Sequence, residues 1–139
     1  MEDKKIKFKK FWPGIAWFLF TGVLVFLPGN DIPKTSLLDL MYFDKFVHAS
    51  IFGGLTLSFC LPYFKSHFSF QEKINHFIRI SLAAIVWGIT VEVIQHYFIP
   101  GRTFDLLDWA ADSFGVIVGF WVAFKIARHF ERRTLNITD

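Results

Sequence analysis

A single cysteine, Cys60, excludes an internal disulfide and any cysteine-built metal cluster. Cys60 sits in an apolar run and reads as a packing residue. No HExxH or Cys/His spacing is present, so no zinc site, metal or other cofactor is assigned. No Ser or Cys has an obvious base partner, which argues against acyl-enzyme chemistry. Charged residues make up only 19% of the chain, and the basic ones flank apolar runs instead of forming a stripe. That distribution suits a membrane orientation signal and excludes nucleic acid as a partner. There is no internal repeat and no low-complexity segment, and 139 residues leave room for one domain. What the chain does have is apolar: 53% hydrophobic residues, 19 Phe, 5 Trp and a mean hydropathy of +0.41. A soluble domain of this size cannot hide that many aromatics, so the expected solvent is lipid.

The expected organisation is a basic segment at 1–10, a four-helix transmembrane domain at 11–130 and a charged tail at 131–139. The first apolar run, 11–27, ends in Phe26-Leu27-Pro28-Gly29. It lacks the small-x-small pattern of a cleaved signal peptide and reads as the first span. Trp12 suits the interfacial aromatic belt. Turn formers and a short interfacial stretch follow at 28–43. Further spans are expected at 44–64, 78–99 and 104–130. Residues 65–77 read as a polar connection carrying His67 and His76 as solvated loop histidines. Pro100-Gly101 is a sharp break. The fold class is therefore all-α: an integral membrane four-helix bundle with short connections and antiparallel sequential neighbours.

Four spans put both termini and the 65–77 connection on one side. Of the 15 Lys and Arg, only Lys34, Lys45 and Arg102 then fall on the other side. The positive-inside rule makes both termini cytoplasmic. Asp31, Asp39, Asp44, Asp105, Asp108 and Asp112 lie toward the opposite face of the membrane, with Glu92 below them.

Helical spacing gathers these groups. Asp44 and His48 share one face, Glu92 with Gln95 and His96 another, and Asp105, Asp108 and Asp112 a third. At about 1.5 Å rise per residue, Glu92 and Asp112 each lie roughly 10 Å below the Pro100-Gly101 break. Asp108, Asp112, Gly115 and Gly119 form one stripe; Ala84, Gly88, Glu92 and Gln95 form another. Small residues face neighbouring helices. An acid facing lipid at mid-membrane would cost about 2.5–3.5 kcal/mol. The expectation is a polar pocket opening to the non-cytoplasmic side, with Arg102 above it as counter-ion for Glu92, Asp105 or Asp108.

Asp44-Lys45 with His48, Glu92 with Gln95, Arg102, Asp108, Asp112, and Gly115 with Gly119 follow a recognisable order. The chain resembles the VanZ-like family of small membrane proteins, named for a protein linked to resistance to the glycopeptide teicoplanin. The resemblance covers about residues 12–127. It departs at Asp112, where Asn is often found, which adds a negative charge. It implies an envelope membrane protein and supplies no reaction.

The residues assigned to catalysis are His48, Glu92, Asp108 and Asp112; those assigned to substrate binding are Asp44, Gln95 and Arg102. Three readings stand. The first is an envelope enzyme acting by acid–base hydrolysis or group transfer on a lipid head group or lipid-linked glycan. The second is a module binding a small ligand, amphiphile or ion; His48 with the acids is a hard-ligand set. The third is a polar layer that only fixes helix register. The expected partners are membrane lipids, with a homo-oligomer formed through Gly115 and Gly119.

Overall fold

The computed structural model describes residues 5–25 and 41–135. A short 3-10 segment at Phe8–Phe11 leads into α1 (Trp12–Val25), followed by α2 (Met41–Phe64), α3 (Phe70–Phe98) and α4 (Leu106–Leu135). There is no strand among the described residues. Among the described residues, three stretches are long and apolar enough, by length and composition, to cross a membrane: Phe43–Phe64, Phe70–Phe98 and Leu106–Arg133. The described part of α1 has 14 residues, about 21 Å of helix. Residues 26 and 27 of the expected first span lie outside the described residues, as do Asp31, Lys34 and Asp39.

One boundary differs clearly from expectation. The connection expected at 65–77 is helical from Phe70 onward. A capping box starts the helix: the Ser69 hydroxyl accepts from the Glu72 N–H, and the Glu72 carboxylate accepts from the Ser69 N–H. Lys73 is buried, with its Nζ donating to the Phe64 carbonyl at 3.4 Å, and Phe77 is fully buried. His76 is therefore a helix residue stacked on Tyr63, with ring centroids 4.7 Å apart. α4 likewise continues to Leu135, past the expected end at 130.

The contacts fix the helix directions. Phe11 meets Tyr63 and Gly14 meets Phe59, so α1 runs antiparallel to α2. Glu92 meets Asp105 and Phe70 meets Phe124, so α3 runs antiparallel to α4. Gly115 lies on Ala49 and Gly119 on Gly53, so α2 and α4 run in the same direction. This pairing is very close: a Cβ at Gly115 would sit 2.0 Å from the Ala49 carbonyl oxygen, and one at Gly119 2.6 Å from that of Gly53. The small-residue stripe thus packs inside one chain, and does not present a free seam for a second copy.

The interior is layered along the bundle. Phe52, Leu55, Ala84, Val91 and Val116 form one buried cluster. Cys60, Tyr63, Phe64, Phe77, Ala123 and Ala127 form a second, toward the end where α2 leaves and α3 begins. Cys60 is a packing residue there, fully buried. The opposite end of the bundle is polar. Trp17 ties α1 on by donating from Nε1 to the Ile51 carbonyl at 2.8 Å, with its ring over Gly54.

Candidate functional site

α2 contributes Asp44, Lys45 and His48 from its first two turns. α3 contributes Glu92 and Gln95 from its last two. The turn after α3 is closed by the Arg102 N–H donating to the Ile99 carbonyl, with Gly101 at a left-handed φ of 79° that favours glycine. The Phe104 N–H donates to Nδ1 of His96, which ties the loop back onto α3. Asp105 starts α4: its carboxylate accepts from the Leu107 N–H at 2.8 Å, as a capping acid does. Asp108 and Asp112 follow one turn apart.

Two linked groups form between these elements. Lys45 Nζ lies 2.8 Å from Asp105, is in direct contact with Asp108, and is 3.9 Å from Asp44. One turn deeper, His48 Nδ1 is 2.9 Å from Asp112 Oδ1. Glu92 lies against both groups and accepts from the Asp105 N–H at 3.1 Å. Glu92 is 1% exposed and Asp112 0%, so neither is neutralised by solvent. Glu92 Oε1 and Asp112 Oδ2 are buried without a hydrogen-bond partner. Polar ligand atoms of His48, Glu92 and Asp112 lie within 4.8 Å of one another, as do those of Asp44, His48 and Asp108. The Asp105 carboxyl sits below its ordinary range, held there chiefly by the Lys45 hydrogen bond and then by the Leu107 N–H.

The expected gathering of His48, Glu92, Asp108 and Asp112 is thus what the fold produces. Asp44 is at the rim, with 53% of its side chain exposed. Gln95 is buried one turn above Glu92. Arg102 departs from expectation: among the described residues it forms no ion pair with these acids, and its Nε is buried without a hydrogen-bond partner. The counter-ion is Lys45 instead. The reason is helix geometry. The glycine contacts press the start of α2 against the start of α4, which carries Lys45 onto Asp105 and Asp108. Two signals for Lys45 were available: its position one turn before His48, and the need of a half-buried Asp pair for a cation. Trp109 was also missed; its Nε1 donates to the Ile85 carbonyl and fixes α4 against α3 beneath the site.

An apolar cavity of about 220 Å³ lies deeper, lined by Phe18, Leu55, Phe59, Ile80, Ala83 and Trp87 among others. It shares no residue with the polar group, and its lining is almost entirely apolar.

Described residues whose regular structure is all helical, with three membrane-length helices among them and a buried His–carboxylate group at one end, define a small membrane-bundle protein. A family model described as VanZ/LLP1 matches residues 5–128, and the chain belongs to that family. No curated protein and no solved structure matches.

Proposed function

We propose that the chain is an envelope protein whose polar pocket performs acid–base chemistry on a lipid head group or lipid-linked glycan. The link to glycopeptide resistance is carried by the family alone. The observation that supports this reading is the buried His48–Asp112 pair beside Glu92, with two buried carboxylate oxygens left unpaired by protein. A layer that served register alone would have its buried acceptors matched. In this reading His48, oriented by Asp112, takes the proton of an attacking water or hydroxyl, and Glu92 protonates the leaving oxygen. Asp108 holds Lys45 at the mouth, where it and Arg102 face a phosphate or carboxylate. Asp44 and Gln95 contact the substrate. The distribution of Lys and Arg supports cytoplasmic termini and a pocket opening to the non-cytoplasmic side.

The test is turnover of a labelled envelope-lipid extract by protein reconstituted in proteoliposomes, resolved by mass spectrometry. Wild type is expected to convert one lipid class. His48→Gln and Glu92→Gln, checked for retained helicity, are expected to slow it at least ~100-fold, the usual scale of a lost acid or base, and Asp108→Asn to slow it less, by loosening Lys45 at the mouth. Conversion by all three variants at the wild-type rate would sink the proposal.

A binding role without turnover is the second reading. It is favoured by the donor atoms of His48, Glu92 and Asp112 lying within 4.8 Å of one another, a set suited to a divalent ion. Calorimetric titration of the purified protein with Mn²⁺ or Zn²⁺ separates the two: saturable binding lost in His48→Gln, with no lipid conversion, supports it.

A further inference from the structure

The end of the bundle remote from His48 carries a second feature. His48 and Lys65 are separated by most of α2, about 25 Å at helical rise. At that far end an open groove of about 570 Å³ runs between the 3-10 segment, the end of α2 and α4. Lys9, Lys10 and Lys65 stand along it, while Leu61 and Phe130 provide apolar walls and Trp12 flanks them. Leu61 and Trp12 are exposed. Three ammonium groups of like sign face one opening, and among the described residues no carboxylate pairs with any of them. The nearby helix end does not neutralise them either: the Tyr63 carbonyl accepts from Ser66, and that of Phe64 accepts from Lys73.

Cations alone would suit any polyanion, and an apolar wall alone any acyl chain. The two together select an amphiphile with a negatively charged head. We infer that this groove is a binding site for one anionic phospholipid, its phosphate held by Lys9, Lys10 and Lys65 and its upper acyl carbons lying on Leu61 and Phe130. The groove is of the size that holds a head group and the first part of its chains. Juxtamembrane lysines at an interfacial tryptophan are placed at head-group depth. This site is independent of the pocket around His48 and of what that pocket does.

Delipidated full-length protein in mild detergent is titrated with phosphatidylglycerol, phosphatidylcholine or glycerol 3-phosphate, and bound lipid is counted by native mass spectrometry. Phosphatidylglycerol is expected to bind one per chain and raise the melting temperature, with affinity falling as salt rises. Phosphatidylcholine and glycerol 3-phosphate are expected to do neither. The triple variant K9Q/K10Q/K65Q is expected to lose the bound lipid. K125Q/R128Q, at the same end but outside the groove, is expected to keep it. Should the triple variant fail to accumulate, K10Q and K65Q carry the test singly, each weakening binding by about 5-fold, the scale of one basic residue near a lipid phosphate. Equal binding of phosphatidylcholine, equal stabilisation by glycerol 3-phosphate, or equal loss in K125Q/R128Q would overturn the inference. So would single variants binding as wild type.

Discussion

Replacing Lys45 by Met leaves Asp105 and Asp108 facing each other without their shared cation. Stranding one partner of a fully buried ion pair costs about 3–5 kcal/mol. Lys45 is 24% and Asp105 41% exposed, so solvent relieves part of that and the expected loss is nearer ~2 kcal/mol. Unfolding in mild detergent reads it. Adding Asp108→Asn should restore part of the stability, because the amide needs no counter-ion. Arg102→Gln should cost less than Lys45→Met; the reverse order would return the counter-ion role to Arg102. A pH dependence belongs to the same contact. The folded Asp105 carboxyl is held below its ordinary value by Lys45 and the Leu107 N–H. Its contribution is therefore fully present above the unfolded value near 3.8 and is lost as pH falls through the lower, folded one. Asp105→Asn should lower stability in the neutral region and flatten the acid limb of the stability–pH curve below about pH 4, so that the two curves converge in acid.

Glycine decides how the helices meet. Gly115→Ala places a Cβ 2.0 Å from a backbone oxygen of α2, which has no flexible end to yield. Overpacking of this kind costs about 1–3 kcal/mol or more, and here it also pries the Lys45 and His48 side chains from their acids. Gly22→Ala in α1 meets nothing within 4 Å, so helix propensity alone acts, and a gain of up to ~1 kcal/mol is expected. Opposite shifts in melting temperature for the two variants check the pairing of α2 with α4. The spacing of Gly115 and Gly119 was legible as a close-packing signal. The identity of the surface packed against it was not, because a stripe says nothing about whether its partner is α2 or a second copy. The helices themselves were legible from long apolar runs. The start of α3 was misread because Glu72, Lys73, Asn75 and His76 look like a loop once hydropathy is the guide. Yet Ser69-x-x-Glu72 is a capping box written in the sequence, and Lys73 is a helix residue because its ammonium reaches the carbonyl of Phe64.

Across the whole molecule, two apolar layers hold the bundle and one polar layer closes an end of it. The members of that polar layer were readable one by one, since an acid in an apolar run must find company. Their pairing was not, because antiparallel neighbours make α2 and α4 run in the same direction without saying that these two helices pack directly on each other. The layer also sets a stability question that the fold as a whole answers. Glu92 and Asp112 are buried, each with one oxygen unpaired by protein, a costly arrangement for a bundle to keep without use. An amide at either position carries no charge to desolvate, and Asn at 112 can still accept from His48. Glu92→Gln and Asp112→Asn should therefore melt at or a few degrees above wild type in mild detergent, the sign of a site retained at the expense of stability. If both variants instead lose several degrees, the carboxylates are holding the helices in register. The acid–base reading would then give way to a structural one, while the lysine groove at the far end would be untouched by that result.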